Sequence, residues 1–129
     1  MKYLCNWLAC CLLSSVSLAA EKVTVDEAEK LIEGKIQLLD VRTLKEWKAG
    51  YIEGADRVDF YEDGFGDKVK EKFEQDRAIL VYCRSGGRSV KATQILEEVG
   101  FVTVKDLDGG FMAWEKAGKD VVRPEPDDE

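Results

Sequence analysis

The stretch VYCRSGGRS, residues 81–89, ends an apolar run on Cys83 and then supplies Arg84, Ser85, Gly86, Gly87, Arg88 and Ser89 before the next apolar residue. Adjacent glycines accept backbone angles that other residues avoid, so the chain can curl there with its N–H groups turned inward. Such a nest, opening a helix N-terminus, is a site for an anion, and the anion can be the cysteine's own sulfur. A free thiol has a pKa of about 8.5, which falls beside cations or a helix N-terminus. The chain contains no histidine, which excludes a Cys–His pair and a histidine-ligated metal. Activation of Cys83 is therefore expected to be electrostatic, from the amides of residues 84–89 and from Arg84 and Arg88. A thiolate that needs no general base suits attack on a sulfur whose leaving group takes its own charge. Thiosulfate is such a substrate, and arginines suit its oxyanions. A free cysteine is often just a small buried hydrophobe, but that reading leaves the composition of the loop after it unexplained.

The charge pattern supports a small anionic ligand. The full chain carries a net charge of −7, which argues against nucleic acid or an anionic membrane surface as partner. Arg77, Arg84, Arg88 and Lys91 nevertheless form an acid-free basic island between residues 77 and 96. Lys91 itself reads as a solvated side chain.

The first nineteen residues differ in kind from the rest. They carry one charge, Lys2, then an apolar run, then small residues with Ser17 and Ala19 fitting a cleavage site. That layout predicts a secretory signal peptide over 1–19 and a periplasmic or secreted product with no membrane attachment after processing. A retained anchor, or a lipoprotein using Cys10 or Cys11, fits less well. Cys5, Cys10 and Cys11 all fall in this segment, so the remainder keeps only Cys83. It can form no internal disulfide, and its lone thiol makes a zinc site a poor reading. No metal or cofactor is expected.

The elements that would position Cys83 alternate between helix and strand. Thr24-x-x-Glu27 and Thr43-x-x-Glu46 are capping-box patterns opening short helices. IQLLDV (36–41), a weaker ADRVDF (55–60), AILVYC (78–83) and FVTVKDL (101–107) read as strands. Helices are expected over DKVKEKFEQ (67–75), SVKATQILEEVG (89–100, with Gly100 at its C-cap) and GGFMAWEKAG (109–118). The pattern predicts one α/β domain over 20–122, a mainly parallel sheet with helices on both faces, and an acidic disordered tail over 123–129. In such a sheet ligands bind at the carboxyl ends of the strands, where Cys83 falls.

Three blocks, LLDVRTLKEWKAGYIEGA (38–55), ILVYCRSGGRS (79–89) and DLDGGFMAWEKAG (106–118), occur in the order of the rhodanese domain. The chain resembles that family over about residues 23 to 122. The resemblance implies a rhodanese fold and thiosulfate sulfurtransferase activity through a cysteine persulfide. Cys83 matches the family's sulfur-accepting nucleophile, and Arg84 and Arg88 match the cations that bind the donor. The backbone of Arg84, Ser85, Gly86, Gly87, Arg88 and Ser89 matches the persulfide cradle. The acceptor would be cyanide, a thiol or a protein thiol. Asp40 and Arg42 look like scaffold residues. Gly50-Tyr51-Ile52 departs from the family's usual Gly-His-Ile, and DRVDFYEDGFG departs from its usual Asn-hydrophobic-Pro ending.

Two rival functions remain open. A cysteine phosphatase or arsenate reductase of the related fold has five residues between nucleophile and arginine, whereas four separate Cys83 from Arg88. A non-catalytic persulfide carrier or sulfur-binding module would use the same cysteine chemistry as the enzyme.

Overall fold

The computed structural model describes residues 20–125. The expected signal peptide and the end of the acidic tail lie outside these residues. Within the tail, Arg123 pairs with Glu115 at 3.2 Å.

Five strands, β1 (Glu21–Val23), β2 (Gln37–Asp40), β3 (Asp56–Arg57), β4 (Ile79–Tyr82) and β5 (Val104–Leu107), form one sheet in the order β1-β5-β4-β2-β3. Every strand pairing is parallel. Four helices connect them, α1 (Val25–Glu33), α2 (Leu44–Ala49), α3 (Phe65–Lys72) and α4 (Gly87–Glu98), and α5 (Gly110–Lys116) follows β5. The unbroken apolar run of β4 follows from its place at the sheet centre, where both faces of a strand are covered. Its side chains alternate. Ile79, Val81 and Cys83 join Val69, Ala92 and Leu96 in one core, while Leu80 and Tyr82 join Ala28, Phe111 and Trp114 in the other. The sheet is thus sandwiched between two apolar layers.

Helix starts follow their local chemistry. Thr43 and Glu46 complete a reciprocal capping box at α2, whereas at α1 only the Thr24 half is made. Helix α4 begins at Gly87, two residues before the sequence pattern places it, and its C-cap is Val99 instead of Gly100. Strand β1 has no counterpart in the sequence reading.

Asp40 and Arg42 form a buried ion pair at 2.7 Å. The Arg42 guanidinium also donates to the Gly50 carbonyl at 2.7 Å and sits 4.2 Å over the Phe111 ring. Removing one partner of such a pair strands a buried charge, at a cost of about 3–5 kcal/mol. The pair ties the end of β2 to α2 and α5. Tyr51 stacks on Trp47 with ring centroids 3.7 Å apart and bridges Val122, which gives Tyr51 a packing role.

Candidate active site

Strand β4 delivers Cys83 to the carboxyl edge of the sheet, and the chain turns at once into α4. Gly86 makes the turn at φ 115°, a conformation L side chains rarely adopt. This aims the Gly86 N–H at the Cys83 sulfur, 3.0 Å away. The thiol donates to Ser89 Oγ at 3.5 Å, and the Ser89 hydroxyl donates to the Gly86 carbonyl at 3.2 Å. Helix α4 has no side-chain cap and no acid in its first turn, so its N-terminal dipole is left uncompensated beside the sulfur.

Cys83 is only 1 % exposed and belongs to one of the two cores. It forms part of the wall of an open cleft of about 410 Å³ lined also by Phe60, Tyr61, Ser85, Gly87, Arg88 and Lys91. A larger hollow of about 610 Å³, between α1 and Trp114, contains no cysteine.

The structure separates the two arginines. Arg88 reaches the cleft, where its guanidinium forks onto Glu46 at 2.7 and 2.8 Å and lies 6.0 Å from the Tyr61 ring. The side chain of Arg84 is exposed and is not among the residues lining the cleft. What Arg84 contributes at the loop is backbone: its carbonyl accepts the Met112 N–H at 2.9 Å. Lys91, read from sequence as merely solvated, is exposed but stands on the cleft wall. Ser85, Gly87 and Ser89 are all at the loop, with Ser89 fully buried.

In the sequence Glu46 is recognisable only as the N3 residue of a capping box. It accepts the Thr43 N–H at 3.2 Å while holding Arg88. Chiefly through the Arg88 hydrogen bonds, its carboxyl is held down at about 2 from an ordinary 4.5. A depressed carboxylate stabilises the fold above its unfolded pKa and loses that contribution as pH falls through the folded one. Glu46→Gln should therefore lower stability at pH 7 by about 1–2 kcal/mol, allowing for partial solvent screening. The deficit should shrink between pH 4.5 and 2. Denaturant titrations of both proteins across that range check this, and a pH-independent difference would contradict it.

Gly110 and Phe111 of α5 brace the loop. Gly110, at φ 61°, brings α5 so close that a Cβ there would lie 2.5 Å from the Cys83 carbonyl oxygen. The Phe111 N–H donates to that same carbonyl at 2.8 Å. Asp106 of β5 is buried with Oδ1 unpartnered. Burial pushes its carboxyl up.

The comparisons with known proteins agree with this geometry. The family model described as Rhodanese-like domain matches residues 24–117. Thiosulfate sulfurtransferase 16, chloroplastic, from Arabidopsis thaliana is 37 % identical over 115 residues, covering 82 % of this chain and 96 % of that protein. Thiosulfate sulfurtransferase GlpE from Shewanella oneidensis is 32 % identical over 96 residues, covering 74 % and 92 %. Among solved structures, a rhodanese-like domain protein from Staphylococcus aureus superposes with a TM-score of 0.64 at 33 % identity, covering 73 % of this chain and 90 % of that one. A parallel sheet ending in a cysteine loop at the mouth of a helix, matched by the family model over residues 24–117, places the chain in the rhodanese-like family.

Proposed function

We propose that the protein is an exported sulfurtransferase that carries sulfane sulfur on Cys83. The observation that supports this most is the position of the sulfur: at an open cleft, hydrogen-bonded by the Gly86 N–H, and at the N-terminus of α4. The Cys83 thiolate attacks the outer sulfur of thiosulfate. A new S–S bond forms, the donor's S–S bond breaks, and its electron pair leaves with sulfite. The persulfide that remains carries one negative charge, which the Gly86 N–H and the α4 dipole stabilise. Cyanide then attacks the outer sulfur, leaving as thiocyanate and returning the thiolate. A thiol acceptor would leave as a persulfide by the same displacement.

Arg88 and Lys91 are the cations that face the donor's oxyanion end. Arg88 is pre-positioned by Glu46, so the net positive charge at the cleft is supplied mainly by Lys91. The readout is thiocyanate formed from thiosulfate and cyanide. Many equivalents of thiocyanate per chain are expected. One sulfur loaded per chain with no turnover would instead make the protein a carrier.

A further inference from the structure

Five large hydrophobic side chains are exposed among the described residues: Leu44, Tyr61, Val90, Val102 and Met112. Scattered singly, such residues need no explanation. Four of these five are not scattered. Leu44, Tyr61, Val90 and Met112 each sit in the loop or first helical turn that follows a strand, β2, β3, β4 and β5 respectively.

Because β4 lies between β5 and β2, this arrangement surrounds the Cys83 loop. Met112 is fixed on one flank by its N–H bond to the Arg84 carbonyl at 2.9 Å. Leu44 stands on the other, on the helix whose Glu46 forks Arg88. Tyr61 lines the cleft itself, and Val90 follows Arg88 in the first turn of α4. Only Val102 lies elsewhere, ahead of β5.

Neither thiosulfate nor cyanide has apolar surface to set against such a collar. Exposed apolar groups gathered at one edge of a sheet, around a cleft, suit a surface for a macromolecule. The charge at the collar is equally specific. Arg84 and Lys91 are exposed and make no ion pair among the described residues, in a chain that is acidic as a whole. With Cys83 at 1 % exposure, a persulfide there would be reached at its outer sulfur, and only by a group that projects into the cleft.

We infer that this collar docks a partner protein that presents a cysteine on a protruding segment with apolar and acidic neighbours, and that this cysteine receives the sulfur. The inference rests on the persulfide reading of Cys83. The partner's thiolate attacks the outer sulfur, the Cys83 S–S bond breaks, its electron pair returns to Cys83, and the partner leaves as the persulfide. Apolar cover supplies affinity, and the opposed charges speed encounter.

The test uses sulfur-loaded protein and three single-cysteine synthetic peptides, with the cysteine flanked by leucine and glutamate, by leucine and lysine, or by glycine and serine. Discharge to cyanide is measured in parallel. The leucine–glutamate peptide should receive sulfur about tenfold faster than either of the others at equal pH. Leu44→Ser with Met112→Ser should remove most of that advantage and leave discharge to cyanide unchanged. Equal rates for the three peptides on the unaltered chain would overturn the docking surface, whatever becomes of the variant. So would a dimer that the double variant dissolves, since a second copy would then be the occupant. Failure to load sulfur at all would overturn the persulfide reading beneath it, whereas loading followed by indiscriminate discharge overturns the docking surface alone.

Discussion

Thiosulfate should add ~32 Da to the protein, the mass of one sulfur on a thiol attacking as thiolate, and nothing to Cys83→Ser. The substitution is nearly isosteric, so its effect on the fold should be small. A serine hydroxyl at position 83 can still accept the Gly86 N–H and donate to Ser89 Oγ, the two contacts the sulfur makes. What disappears is nucleophilicity. An alcohol stays protonated at neutral pH, and the chain contains no histidine to act as its base. Thiocyanate formation should therefore fall to the uncatalysed background while the melting temperature stays within a few degrees. Peptide mapping of the adduct separates Cys83 from Cys5, Cys10 and Cys11. A sulfur adduct persisting in Cys83→Ser, or mapping to another cysteine, would defeat the assignment.

The parts of the fold that the sequence reveals are those with a local pattern. Ile79–Tyr82 is buried at every residue, and an unbroken apolar run at that length has few other meanings than a central strand. Ala92 and Leu96, spaced for one helix face, are both fully buried. The nucleophile loop is legible because a cysteine, two glycines and two arginines crowd into six residues. Strand β1 is illegible because it is three residues long with two exposed, and it is a strand only through its pairing with β5. The Gly86–Gly87 pair looks like loop to any local rule, yet Gly87 begins α4. Glu46 illustrates the same limit within the site. Its spacing from Thr43 announces a helix cap, but its grip on Arg88 joins residues 42 apart in the chain. Phe60 and Tyr61 reach the cleft by the path of the loop after β3, and Arg84 is exposed without lining it. Neither fact has a counterpart in spacing or composition.

Gly110→Ala should damage the fold and the Cys83 loop together. The new methyl carbon would lie 2.5 Å from the Cys83 carbonyl oxygen and 2.8 Å from both the carbonyl carbon and oxygen of Arg84. These are backbone atoms, so no flexible side chain can give way, and φ at 61° already strains any residue with a side chain. Relief requires α5 to back away from the loop. That breaks the bonds by which Phe111 and Met112 hold the carbonyls of Cys83 and Arg84, at 2.8 and 2.9 Å. Two lost hydrogen bonds together with the strained backbone should cost about 2–4 kcal/mol. Because those carbonyls belong to the nucleophile and its neighbour, sulfur loading should fall by more than the loss of folded protein explains. Gly34→Ala is the fitting control: its φ is negative and its nearest Cβ contact is 3.4 Å, so it should leave both stability and loading close to wild type. Chemical denaturation read beside the rate of thiosulfate loading separates the two effects. If Gly110→Ala loaded sulfur at the wild-type rate per folded molecule, the loop would hold its shape without α5, and the Gly86 turn alone would have to account for the position of the sulfur.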